Sequence, residues 1–210
     1  MVLARGRVVA EKRTAETSPQ ELAQLMVGRE VLFRLEKRAC QPGAVVLEVR
    51  DLTAENDKGL PALRGITLQI HAGEILGIAG VAGNGQRELA EAITGLRKAT
   101  GGSVHIGPHD VTNQPPLRAI QAGVSHIPED RMGMGAVGNM AVADNLAMKG
   151  YRQSPLGTGG VLRYPRILEF ARRMIETFRI ATPSPQTRVK FLSGGNLQKT
   201  ILAREITACG

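Results

Sequence analysis

Residues 74–96 constrain what this chain can fold into more than any other stretch. Glu74-Ile75-Leu76-Gly77-Ile78-Ala79 is an apolar run suited to a buried central strand. A glycine-rich loop follows, Gly80-Val81-Ala82-Gly83-Asn84-Gly85-Gln86-Arg87, and then a helix predicted from about Gln86 to Leu96 with Leu89, Ile93 and Leu96 on one face. Strand, glycine loop and helix in that order supply the setting a phosphate-binding loop needs. Glycines let the backbone wrap an anion with its N–H groups, and the helix N-terminus adds a favourable dipole.

The loop's side chains fit that role poorly. The spacing G-x-x-x-x-G-K-[ST] is met at Gly80 and Gly85 but fails at the next two positions. Gln86 stands where a lysine would reach the β- and γ-phosphates, and Arg87 where a hydroxyl would bind Mg²⁺. A guanidinium has no lone pair to offer a metal, although it can pair with a phosphate directly. A dinucleotide fingerprint starting at Gly83 needs a glycine where Glu88 stands, so it fails. A purely structural strand-to-helix turn is the competing reading of the loop.

The rest of the chain organises around this unit. Residues 1–14 read as two short β-like pieces around Arg5-Gly6-Arg7, followed by a helix capped by Ser18 with Pro19 at its first position. Leu22, Leu25 and Met26 follow helical spacing, and Gly28 ends that helix. Residues 36–43 are charged and end in Pro42 and Gly43, a linker signature. A new unit starts at Ala44, with strands predicted at 45–49, 63–70, 103–106 and 124–127. From about Met132 the texture is helical, and Ile167, Phe170, Ala171, Met174 and Phe178 form an apolar stripe that reads as core packing.

Composition narrows the function classes. The 210 residues are 42% hydrophobic and 22% charged, which excludes wholesale disorder. The longest apolar run is too short and too glycine-rich to span a bilayer, and the first residues lack the apolar stretch of a signal peptide. Cys40 and Cys209 lie far apart and suggest neither a disulfide framework nor a metal site. These features read as a cytosolic protein. Between Lys149 and Arg204 there are eleven Lys/Arg and only two acids, Glu169 and Glu176. That basic third could face nucleic acid, anionic lipid or nucleotide, or could simply be a solvated helical face. No aromatic lies between Arg34 and Gly150 to stack on a base, which counts against nucleic acid.

A second glycine motif lies far downstream, Leu192-Ser193-Gly194-Gly195-Asn196-Leu197-Gln198-Lys199, at the start of a helical run. Ser193 can cap that helix, and the two glycines leave backbone N–H groups bare at its N-terminus.

With both motifs in order, the sequence resembles the ATP-binding-cassette ATPases, whose signature is LSGGQ where this chain has LSGGN. The resemblance runs from about Val45 to the chain end. It implies an α/β fold, a P-loop NTPase-like cassette incomplete at the C-terminus, with a RecA-like mixed sheet core over 44–131 and a helical subdomain over 132–210. The nearest likeness is the second cassette of the tandem ATPases that energise bacterial import of simple sugars or nucleosides, in which the second phosphate loop is typically degenerate. Residues 1–35 then resemble the tail of a preceding cassette, and Glu129, within Ile127-Pro128-Glu129-Asp130-Arg131, falls where most cassettes place the Q-loop glutamine. Its plain alternative is a solvated turn acid.

The resemblance also implies roles, partners and a reaction. In this family two cassettes sandwich ATP between the phosphate loop of one and the signature of the other. Gly80, Gly83, Asn84, Gly85, Gln86 and Arg87 would form a degenerate ATP site. Ser193, Gly194, Gly195 and Asn196 would close over ATP and Mg²⁺ held by the first cassette of the same polypeptide. Transmembrane permease subunits, and indirectly a periplasmic or lipoprotein solute-binding protein, are the implied partners, with no nucleic acid, at the cytoplasmic side of the plasma membrane. The sequence departs from the family in lacking an aromatic upstream of the loop, with Leu60 a poor substitute for adenine stacking. The family's Walker B acid, catalytic glutamate and switch histidine would come after Gly210, so the chain is expected to be a fragment inactive alone, with no catalytic residue of its own. His71, His105, His109 and His126 all precede the signature and read as ordinary structural residues. A soluble cassette ATPase acting on ribosomes or nucleic acid, and a nucleotide-free scaffold, are the alternatives.

Overall fold

The computed structural model describes residues 1–4, 6–27, 41–152 and 155–207. By its contacts the chain divides into two compact units, Met1–Gln41 and Pro42–Gly210. The first holds β1 (Val2–Ala4) paired antiparallel with β2 (Arg7–Ala10), and α1 (Pro19–Val27). Helix α1 starts as its sequence directs: the Glu21 N–H donates to the Ser18 hydroxyl at 3.2 Å, with Pro19 at the first helical position. Leu22 and Leu25 are half-buried, but Met26 is exposed. The expected stop at Gly28, most of the expected linker and both cysteines lie outside the described residues.

The second unit carries two hydrophobic cores. One lies beneath an antiparallel sheet ordered β4-β3-β5-β6, built from β3 (Val45–Glu55), β4 (Pro61–His71), β5 (Ala99–Ile106) and β6 (His109–Asp110). Val49 pairs with Leu68 on one side and Val104 on the other, so one face of the sheet is continuously apolar. That face packs against Leu89 and Ala92 of α2 (Gln86–Ile93) and Ala119 of α3 (Pro116–Gln121).

The other core is helical. It joins α4 (Val142–Ala147), α5 (Tyr164–Thr177) and α6 (Gly194–Thr207), with Leu156 buried beside them just ahead of a small hairpin of β7 (Gly157–Thr158) and β8 (Val161–Leu162). The stripe on α5 is core as expected: Ile167 and Ala171 are fully buried, with Phe170, Met174 and Phe178 packed beside them. Between the two cores a five-residue π-helical turn, Arg131–Gly135, is capped by the Asp130 carboxylate, which accepts from the Met132 and Gly133 N–H groups at 3.1 and 2.8 Å.

Two expected strands did not form. Residues 74–79 have no strand geometry, and Ile75 and Ile78 are 85% and 56% exposed. Residues 124–127 are likewise irregular. An apolar run becomes a strand only when a neighbour completes its hydrogen-bond ladder, and among the described residues no strand lies alongside either segment. Helix α2 also stops three residues short of the expected end, at Ile93, and leaves Leu96 exposed.

Candidate functional site

The glycine loop wraps onto α2 through Gly85, which sits in the left-handed region at φ 98° and caps the helix. A Cβ there would lie 2.8 Å from the Ala62 carbonyl oxygen and 3.1 Å from the Leu63 side chain, so β4 passes too close for any other residue. Gly83, Asn84 and Gly80 are exposed.

The two side chains after Gly85 turn inward on the protein. The Gln86 amide reaches back across the loop and donates to the Val81 carbonyl at 3.2 Å, lying over Gly80. The Arg87 Nε donates to Glu91 Oε1 at 2.7 Å, one helical turn on, and its Nη1 is 3.8 Å from Asp57. Glu91 is buried and is shared with Arg97, whose Nη2 lies 2.7 Å from Glu91 and 2.6 Å from Asp57. Burial pushes the Glu91 carboxyl up, but hydrogen bonds from Arg87 and Arg97 outweigh it and hold the group below its ordinary value. A phosphate reaching Arg87 would therefore compete with two carboxylates already in place. The loop retains backbone donors for an anion, but its side chains fit Mg²⁺ poorly: Arg87 has no oxygen, the Gln86 amide is turned back onto the loop through its Nε2, and no cluster of three His, Cys, Asp or Glu suited to a metal occurs among the described residues.

Glu129 is exposed and lines a cleft of about 830 Å³ together with Gln86, Arg87, Glu91 and His126. The structure thus brings Gln86 and Arg87, at the end of the glycine loop, and Glu129 to one cleft. Ser193, Gly194, Gly195 and Asn196 do not line it.

Those four residues form a separate exposed turn at the start of α6. The Ser193 carbonyl accepts the Leu197 N–H at 2.9 Å, so Ser193 holds the capping position expected of it. Its hydroxyl accepts from the Asn196 Nδ2 at 2.9 Å, while the side-chain Oδ1 of Asn196 accepts from the Ala181 N–H, also at 2.9 Å. Asn196 is therefore tied down on both sides, and Ser193, Gly194 and Gly195 remain open to solvent. A Cβ on Gly195 would meet nothing within 4 Å.

Helix α6 is anchored at its far end by a group the sequence reading missed. Glu205 is 1% exposed, and its carboxylate pairs with Lys149, accepts from Arg204 Nε at 2.9 Å and accepts from the His126 N–H at 3.1 Å. Its carbonyl accepts from the Ser125 hydroxyl at 2.7 Å. One residue thus ties the signature helix to the segment that leads into Glu129. Burial raises the Glu205 carboxyl and burial lowers the His126 imidazole; the contacts with Lys149, His126 N–H and Arg204 bring Glu205 below its ordinary value. The Arg87–Glu91 pair could have been read from i,i+4 spacing. The pairings with Asp57 and Lys149 span too much sequence to leave any local signal.

The profile of the family described as ABC transporter matches residues 63–208. The chain belongs to the ABC transporter family. It is 43% identical over 205 residues to the nucleoside import ATP-binding protein NupA of Lactococcus lactis, covering 98% of this chain and 40% of that protein. It is 41% identical over 205 residues to the guanosine import ATP-binding protein NupO of Bacillus subtilis, with the same coverage. The glucose import ATP-binding protein TsgD13 of Haloferax volcanii matches at 43% over 208 residues, 98% of this chain and 38% of that one. The chain thus spans about two fifths of the length of the curated relatives it matches.

Among solved structures, a nucleotide-free ATP-binding cassette from an ABC transporter superposes with a TM-score of 0.61 at 22% identity, covering 78% of this chain and 65% of that one. A dimeric bacterial ABC transporter cassette superposes at 0.62 and 18% identity, covering 77% and 69%. The fold is an ABC cassette with a mixed α/β core, as the paired glycine motifs led one to expect.

Proposed function

We propose that this chain is part of the ATP-binding subunit of an importer for nucleosides or simple sugars, and that it is the second cassette of a tandem protein. Its nucleoside- and glucose-import relatives support the importer class. The observation that carries the finer reading is the contrast between its two glycine motifs. The loop Gly80–Arg87 is filled by Gln86 and tied to Glu91 through Arg87, which suits a degenerate site that holds ATP weakly or without turnover. Ser193, Gly194 and Gly195 stand open at a helix N-terminus, outside the cleft that holds the loop.

On this reading Ser193, Gly194, Gly195 and Asn196 complete the ATP site of the first cassette. Their N–H and hydroxyl groups position the γ-phosphate in trans, a preorganised set of donors at the place where charge develops. Glu129 sits at the Q-loop position and faces the permease subunits, at the cytoplasmic side of the membrane. ATP belongs to the composite site, and any Mg²⁺ is held by the first cassette, since the side chains after Gly85 do not suit it.

The test uses the full-length tandem protein with its permease. Ser193→Arg should lower transport-coupled hydrolysis by about a hundredfold or more, the scale of losing a transition-state donor. Gln86→Ala should change it by less than about threefold, because the Gln86 amide serves the loop itself. Equal losses from the two substitutions would sink the asymmetric assignment.

A further inference from the structure

We propose that the β7–β8 hairpin is a membrane-contact element whose tip enters the headgroup region of an anionic bilayer. The hairpin turns at Gly159 and Gly160, with Thr158 opposite Val161 and Gly157 opposite Leu162. Successive side chains of a strand leave on opposite faces. Val161 and Leu162 therefore present apolar surface on both sides of a two-stranded ribbon, 68% and 54% exposed. A protein partner docking flat would cover one side and leave the other in water. A lipid interface surrounds the tip and removes both from water together.

The surrounding charge fits phospholipid. Arg163 directly follows the tip, and Arg152 stands beside Tyr151 with its guanidinium carbon 5.4 Å from the ring centroid and its Nε donating to the hydroxyl at 2.9 Å. Both arginines are exposed, and among the described residues neither has a carboxylate partner. Tyr151 and Tyr164 are half-exposed next to the hairpin, and such rings favour the boundary between water and hydrocarbon. No acidic residue occurs between Asp144 and Glu169 to oppose this charge. Basic side chains beside exposed apolar ones bind leaflets rich in anionic lipid, and the attraction is screened by salt.

This inference goes beyond the importer reading and needs neither nucleotide nor permease, so either can fail without the other. These 210 residues hold no tryptophan, so Leu162→Trp adds an emission reporter at the tip, read as the difference from the unsubstituted protein. With vesicles of equimolar phosphatidylglycerol and phosphatidylcholine its emission should shift to the blue, and brominated lipid should quench it. Pure phosphatidylcholine should do far less, and added salt should reverse the shift. In flotation, Val161→Asp with Leu162→Asp should cut the vesicle-bound fraction about tenfold. Arg152→Ala with Arg163→Ala should remove the preference for phosphatidylglycerol. Phe191→Asp, at an equally exposed apolar site in a different element, should leave binding unchanged. An unmoved Leu162→Trp spectrum, equal shifts with neutral vesicles, or an equal loss from Phe191→Asp overturns the proposal. So does a shift that appears only when permease subunits are present in the bilayer.

Discussion

Helices α2 and α6 both begin on glycines and both bury an acid along their length, yet their N-termini are left in opposite states. At α2 the Gln86 amide fills the loop and Glu91 holds Arg87, with Asp57 3.8 Å from that arginine. At α6 the Asn196 side chain braces the Ser193 hydroxyl and the Ala181 N–H, and Ser193, Gly194 and Gly195 stay exposed. The difference shows that a helix N-terminus rich in glycine is only a potential anion site. Whether it is available depends on what the next two side chains do. Lysine and a hydroxyl would point toward a ligand; glutamine and arginine find partners in the protein.

The buried acids give the largest expected effects. Glu205→Gln should destabilise the fold by about 3 kcal/mol or more, since it leaves Lys149 and Arg204 without their charge partner in a buried setting. Thermal unfolding would measure it, and the His126 amide, which donates to the Glu205 carboxylate, should lose hydrogen-exchange protection along with α6. Glu91→Gln should cost less, about 2 kcal/mol, because its arginine partners reach Asp57 as well. If the two losses were equal, the distinction between a wholly enclosed and a shared carboxylate would be wrong.

The glycines themselves sharpen the contrast. Gly85→Ala meets both a left-handed backbone and a 2.8 Å approach to the Ala62 carbonyl, and should cost about 1–3 kcal/mol. Gly195→Ala has open space and a normal helical setting, so its thermal stability should stay within about 0.5 kcal/mol. A large loss at Gly195 would mean that the turn is packed and not open. Restoring the loop by Gln86→Lys with Arg87→Ser should strengthen binding of a fluorescent ATP analogue about tenfold, the worth of one charged hydrogen bond. No gain would show that the missing side chains are not what weakens the loop.

The smallest effect concerns pH. Burial lowers the His126 imidazole below its ordinary value of 6.5. The unfolded chain therefore takes up this proton first, and stability falls as pH drops from 6.5 toward the folded value. His126→Gln should flatten the decline in Tm between pH 7.5 and 5.5 by an amount worth less than about 1 kcal/mol. Glu91 and Glu205, both held below 4.5, weaken the fold only at more acid pH.

Much of the architecture was legible in the sequence because it is locally encoded. The Ser18 cap, the strands beginning near Val45 and Leu63, and the stripe through Ile167 and Ala171 follow from spacing and residue type over a few positions. The order of the two glycine motifs sufficed to identify an ABC cassette. Residues 74–79 and 124–127 misled for one reason: an apolar run predicts burial, but a strand exists only where another strand bonds to it, and that is a property of the neighbours.

What only the tertiary structure decided is where the charges go. Arg87 reads equally well as a phosphate ligand or as a surface cation until Asp57 arrives from the turn between β3 and β4 and Glu91 from the next helical turn. Glu205 looks like any acid on a polar helix until Lys149, Ser125 and His126 close around it. A strong ion pair needs only a few ångströms of space and places no limit on sequence separation. Helical and strand periodicities are written along the chain itself, whereas such pairings are set by which elements the folded cores bring side by side.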